Sequence, residues 1–235
     1  VTDAALALLR EFRPDKVVII GDFCDLEALS HHPKNRPDVT RLSWEYYECN
    51  TLLDRFQNAA PSADWYYLEG NHEYRAIKFA NSLGTLDGLL DVPQNLHILP
   101  VDDARRHDDL RGIVWLKFED YLGKAWVAPW GEGNFGYLHS AKANKNGMGA
   151  GGLYHAAYHA NTIGPISRCA VTVYGHHHTF QMFRSTAGYE AWCCGFLGDL
   201  NEKAFLYAAG PTNWLNGVLL QEIDGSRVVN TPIRL

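Results

Sequence analysis

The sequence predicts an α/β fold, and three observations carry that reading. Short apolar runs rich in β-branched or aromatic residues, at 16–20, 65–68 and 170–174, alternate with stretches whose apolar residues recur at helical spacing. Each run gives way to a glycine with a polar residue after it. Apolar residues make up 46% of the 235 and charged residues 20%, ordinary globular usage that argues against disorder, collagen and coiled coil.

Taken in order, Thr2 or Asp3 can cap a helix through Leu6, Leu8, Leu9 and Phe12 that stops before Pro14. Lys16–Ile20 follows as a strand expected to be buried on both faces, and it runs into Gly21-Asp22. A loop rich in His, Pro and Asn covers 30–39, with His31 and His32 read as solvated. Leu42, Tyr46, Cys49, Leu53 and Phe56 mark a helix ending near Pro61. Trp65–Leu68 is a second strand, ending in Gly70-Asn71-His72-Glu73. Parallel strands joined by a helix put their carboxyl ends on one edge of the sheet, where ligands bind in open α/β folds. Asp22 and Asn71 are therefore expected to be neighbours.

Further on, 101–111 reads as a surface loop, and 113–118 and 124–129 as strands. Phe135–Leu138 leads into His139-Ser140. A Gly/Asn/Lys-rich loop at 142–152 precedes a helical stretch at 153–162. Ala170–Tyr174 is a strand ending in Gly175-His176-His177-His178, and the remainder reads as antiparallel strands. Asp224-Gly225 marks a hairpin between 218–223 and 227–229. With no internal repeat or linker, residues 1–235 read as one domain.

The formal charge of −6 gives no basic footprint for undirected nucleic-acid binding. No apolar run approaches the ~20 residues that cross a bilayer. The odd count of five cysteines, two of them adjacent at 193 and 194, points to free thiols in a reducing, cytoplasmic setting.

Eleven histidines is the unusual number, and they cluster. Four strand ends carry residues of metal-ligand type: Asp22, Asn71, His139, and the pair His176 and His178. A carboxylate, an amide oxygen and imidazoles suit divalent Mn, Fe, Zn or Co. In an extended segment His176 and His178 point to the same side, and His177, pointing the other way, is left for a surface turn. His155 and His159, at i and i+4, read as a packed or solvated helix face. Cys24 lacks a base beside it, so it is not expected to be a nucleophile.

Gly-Asp-x-x-Asp at 21–25, Gly-Asn-His-Glu at 70–73, the strand-end His139 and Gly-His-x-His at 175–178 resemble, in that order, the calcineurin-like metallophosphoesterases. The resemblance spans roughly residues 16–180. It implies a four-layer αββα sandwich of two mixed sheets holding two divalent metal ions. It makes Asp22 the carboxylate bridging both ions, Asn71, His139 and His176 ligands of the second ion, and His178 a ligand of the first. His72 is similar to the histidine that approaches the leaving-group oxygen, and Asp25 and Glu73 tune the surroundings by hydrogen bonding. The implied reaction is hydrolysis of a phosphate ester by metal-activated hydroxide, with a phosphodiester or nucleic acid as the favoured substrate.

One departure stands out. The family opens with Asp-x-His on its first strand, and that pattern occurs nowhere here. The sequence is accordingly expected to start one strand late, with about 10–25 further residues before Val1. The alternative is a degenerate member that keeps the fold as a protein-binding scaffold without catalysis. A metallo-β-lactamase-like hydrolase is disfavoured, because His176-His177-His178 continues into Thr179-Phe180 rather than completing His-x-His-x-Asp-His.

Overall fold

A computed structural model describes residues 1–30, 41–84, 90–100, 110–139, 154–198 and 214–235. Expectations for 31–39, including His31 and His32, for 101–109 and for 142–152 lie outside the described residues. The chain is mixed α/β. Residues 8–120 cluster as one compact unit, and residues 1–7 with 121–235 as another.

Helix α1 (Thr2–Phe12) buries Ala5 and Leu6 and ends ahead of Pro14, with Arg13 in the left-handed region at φ 46°. In the unit of residues 8–120, strand β1 (Lys16–Ile20), helix α2 (Leu42–Ala59) and strand β2 (Asp64–Leu68) form the expected strand–helix–strand. The strands pair in parallel from Lys16↔Asp64 to Ile20↔Leu68. Helix α2 stops at Ala60, whose φ of −136° has left the helical region, as suits the residue before Pro61. Helix α3 (Tyr74–Leu83) closes on Gly84 at φ 67°, a left-handed position that glycine occupies without a Cβ clash. Helix α4 (Val92–Asn95), capped by the Asp91 side chain, leads to β3 (Leu99–Pro100). Strand β4 (Ile113–Leu116) lies between β2 and β3, so the order is β1-β2-β4-β3 and every pairing is parallel.

Two expectations change here. Lys16–Ile20 are half-buried rather than buried on both faces, because β1 is an edge strand among the described residues. Arg111 belongs to no solvated loop. Its guanidinium, on a side chain only 9% exposed, donates to Asp54 and Asn50 of α2 and to the Leu96 carbonyl. The centre of this sheet is aromatic, with Tyr67 and Trp115 buried and their ring centroids 4.7 Å apart.

The other unit carries a five-stranded mixed sheet in the order β5-β6-β7-β9-β8, formed by β5 (Trp126–Val127), β6 (Phe135–His139), β7 (Val171–Gly175), β8 (Phe180–Arg184) and β9 (Glu190–Cys194). Every residue of β6 and β7 is buried, as their apolar runs require of inner strands. The last strands are only partly antiparallel: β8 and β9 pair that way, but β9 runs parallel to β7. The helical stretch extends to residue 167 as α5 (His155–Tyr158), a π-helical turn (His159–Ile163) and α6 (Gly164–Ser167). Strands β10 (Gly217–Asp224) and β11 (Arg227–Arg234) make the expected hairpin, five residues longer at its far end than the pattern indicated. Among the described residues, no helix is long and apolar enough to cross a membrane.

Candidate metal centre

The first cluster lies just past β1 and β2. After Ile20 the chain enters two left-handed residues, Gly21 at φ 68° and Asp22 at φ 53°. Aspartate tolerates this conformation better than most side chains. The fold gives it three anchors. The Asp22 N–H donates to Glu73 Oε2 at 3.0 Å, Asp22 Oδ1 accepts the His72 N–H at 2.8 Å, and Gly70 passes directly alongside. A Cβ on Gly70 would lie 2.2 Å from the Asp22 nitrogen and 2.3 Å from Oδ1, so glycine is needed there for close approach. The parallel register delivers this meeting, since Ile20 and Leu68 are paired and the loops leave the sheet side by side.

Glu73 organises the loop from beneath. It is fully buried and accepts from the Asp22, Cys24 and Gly70 N–H groups and from the Tyr67 hydroxyl at 2.6 Å. Burial, then the nearby Asp22 charge, raise its pKa, and the hydrogen bonds from Tyr67 and Cys24 oppose that rise. Glu73 thus hydrogen-bonds the loop that carries Asp22. Tyr67 and Cys24 are partners that the motif alone does not reveal. Tyr67 carries no signal of this in the sequence, since Trp65–Leu68 is an unbroken apolar run and does not set it apart from its neighbours. Burial also holds the Cys24 thiol well above its ordinary pKa, which leaves it protonated and a poor nucleophile.

Asp25 approaches His72, with Oδ1 2.7 Å from Nδ1. This contact fixes the ring and leaves Nε2 as its other nitrogen, 3.7 Å from Asp22 Oδ2. Burial raises the Asp25 pKa, but the hydrogen bond and charge of His72, with the charge of Arg75, outweigh it, so the net shift is downward. Asn71 is half-buried between Gly70 and His72.

The second cluster belongs to the five-stranded sheet. His139 is the last residue of β6 and pairs in register with Gly175, the last residue of β7. His176 comes next, and His139 Nε2 lies 3.2 Å from His176 Nδ1, with the rings at 83°. His139 is only 2% exposed. Two imidazole nitrogens this close, on rings that cross nearly at right angles, fit a shared ion as well as they fit a hydrogen bond between tautomers.

The backbone departs from expectation at His176–His178. It is not extended: His176 has φ 90° and His178 φ 58°. The period-2 argument for a common direction therefore lapses. His178 packs face to face on Phe196 at 4.7 Å and edge-on to Trp214 at 4.6 Å, two aromatic neighbours that its sequence position does not announce. His177 is no surface turn either. Its ring stacks on His155, and burial, with the charges of His155, His176 and other histidines, takes its pKa down to about 2. His155 and His159 are both buried, so the packed reading of that helix face holds over the solvated one.

Asp22, Asp25, His72 and Glu73 are thus brought together in one unit, and His139 and His176 in the other. No protein-family model, curated protein or solved structure matches the chain, and the metallophosphoesterase resemblance rests on these residues alone.

Proposed function

We propose that this protein is a metal-dependent phosphoesterase whose two clusters together hold two divalent ions, drawn from Mn, Fe, Zn or Co. The reading is carried by the His139–His176 pair, two ring nitrogens 3.2 Å apart at adjacent parallel strand ends. In it, Asp22 would be shared by both ions, Asn71, His139 and His176 would hold one, and His178 would hold the other. The fold that goes with this reading is the four-layer αββα sandwich that the resemblance implies. A bound divalent ion makes water nucleophilic near neutral pH and neutralises charge on phosphate oxygens.

The chain's own residues supply the rest. Glu73 and Gly70 fix the loop that carries Asp22. Asp25 orients His72 through Nδ1, so that Nε2 can deliver a proton to the departing alkoxide. A phosphodiester, nucleic acids included, is the proposed substrate class. The reducing, cytoplasmic setting is supported by five cysteines that are all free thiols.

Metal analysis of the purified chain with hydrolysis of bis-nitrophenyl phosphate in Mn tests this reading. Bound metal and turnover support it; neither favours the non-catalytic scaffold. The Asp22→Asn substitution is expected to abolish turnover, and full activity in that variant excludes the assignment. His72→Ala is expected to keep metal and lose rate, by about 10²-fold or more for alkyl leaving groups and much less for nitrophenolate. Equal losses for both would remove His72 from the role of proton donor.

A further inference from the structure

The turn that carries His176 and His178 is strained. Two of its three residues are non-glycine at positive φ, at 90° and 58°. Such positions persist only where the surroundings fix them. His178 is fixed on its own side, since its carbonyl accepts the Leu215 N–H at 2.7 Å and its ring lies on Phe196. For His176 the anchor is the next residue along. The His177 ring turns inward and stacks on His155, with centroids 3.3 Å apart and planes 25° from parallel. Tyr174 stands edge-on to His177 at 6.0 Å, and His159 packs against Tyr174 at 4.0 Å. His177 Nε2 is buried with no hydrogen-bond partner. Ring packing, not hydrogen bonding at that nitrogen, therefore seats His177.

The geometry points to His155 as a positioning residue that, by stacking on His177, holds the strained turn in the one conformation that aims His176 at His139. This inference rests on the proposed metal centre. His155 starts α5 and is 1% exposed, so its plane is set by the helix and not by solvent. The helix turns π-helical right after α5, an irregularity frequent at functional sites, and the first residue of that turn is His159. An aliphatic side chain of similar volume would fill the space but offer no flat face. His177 could then rotate, and with it the peptide joining it to His176.

The test compares wild type, His155→Leu and His155→Phe by cobalt titration, reading both dissociation constant and ligand-field absorption. The Leu variant is expected to bind cobalt about tenfold more weakly or worse with a changed absorption band, and the Phe variant to stay within about threefold with the band intact. Wild-type affinity and spectrum in the Leu variant overturn the inference while leaving the metal centre standing. Equal loss in Leu and Phe also overturns it, since the ring nitrogens rather than the flat face would then matter. No cobalt uptake by wild type overturns the metal centre and this inference with it. Should the Leu variant lack a cooperative melting transition, proton spectra of the wild-type chain decide. Stacked rings must shift the His155 and His177 ring protons upfield, and unshifted resonances overturn the inference.

Discussion

The loop after β1 and the turn after β7 both leave a strand through left-handed residues, yet different forces hold them. At Asp22 the backbone is tied by hydrogen bonds: Glu73 alone accepts three N–H groups and a hydroxyl. At His176–His178 ring packs against ring, His177 on His155 and His178 on Phe196. A hydrogen-bonded loop depends on one acceptor with fixed directions. A stacked turn depends on shape, which several residues share. The first should fail sharply at one position and the second gradually.

The largest expected effect breaks the first loop. Glu73→Ala leaves the Asp22, Cys24 and Gly70 N–H groups and the Tyr67 hydroxyl without their acceptor in a buried place. Losses of this kind cost about 3–5 kcal/mol of folding stability, set by the orphaned donors rather than by the charge removed. Urea unfolding measures this directly. A loss below about 1 kcal/mol would mean that water replaces the carboxylate and that the contrast between the two regions is illusory.

The same difference explains what the sequence could reveal. Strands β1, β2, β6 and β7 were legible as short apolar runs, with Gly21, Gly70 and Gly175 closing three of them and His139 the fourth. Their parallel register then made the meeting of Asp22 with the Asn71–His72 turn, and of His139 with His176, nearly automatic. Glu73 was legible as a hydrogen-bonding residue because the Asp22, Cys24 and Gly70 N–H groups it accepts from lie within two short motifs, whereas Tyr67 lies outside both. The stack was not. His155 and His177 are far apart in sequence, and a histidine on a short helix gives no sign of what its face meets. Alternation failed at His176–His178 because that argument assumes extended backbone, and positive φ is uncommon enough in any non-glycine residue that it cannot be read from histidine, even though histidine adopts it more often than most.

The two regions should also oppose each other in their dependence on pH. His159 packs on Tyr174 behind the stacked turn, and burial, with the His155 charge, takes its pKa down to about 3. An unfolded histidine titrates near ~6.5. Between these values the unfolded chain takes up a proton that the native chain refuses, so this stability is full above ~6.5 and lost as pH falls. His159→Phe removes the titration. Relative to wild type, the variant should gain on the order of 2 kcal/mol between pH 7 and pH 5 in denaturant unfolding. A constant difference would mean that His159 is protonated alike in both states.

Glu69 supplies the smaller, opposite slope. It sits just past β2, is 1% exposed and accepts the Phe118 N–H at 2.8 Å. Burial pushes its pKa to about 7, against the Phe118 hydrogen bond and with help from the Glu73 charge. Here the native chain holds a proton that the unfolded chain has released above ~4.3. Its contribution is therefore full below that value and lost as pH rises through about 7. Glu69→Gln keeps a carbonyl for Phe118 and removes the titration. The variant should gain on wild type by on the order of 2 kcal/mol between pH 5 and pH 8, since the cost of accommodating the new amide is the same at both pH values and drops out of the difference. If the gain appears on the acid side instead, Glu69 is ionised in the folded chain, with the Phe118 N–H and the Lys117 charge outweighing its burial.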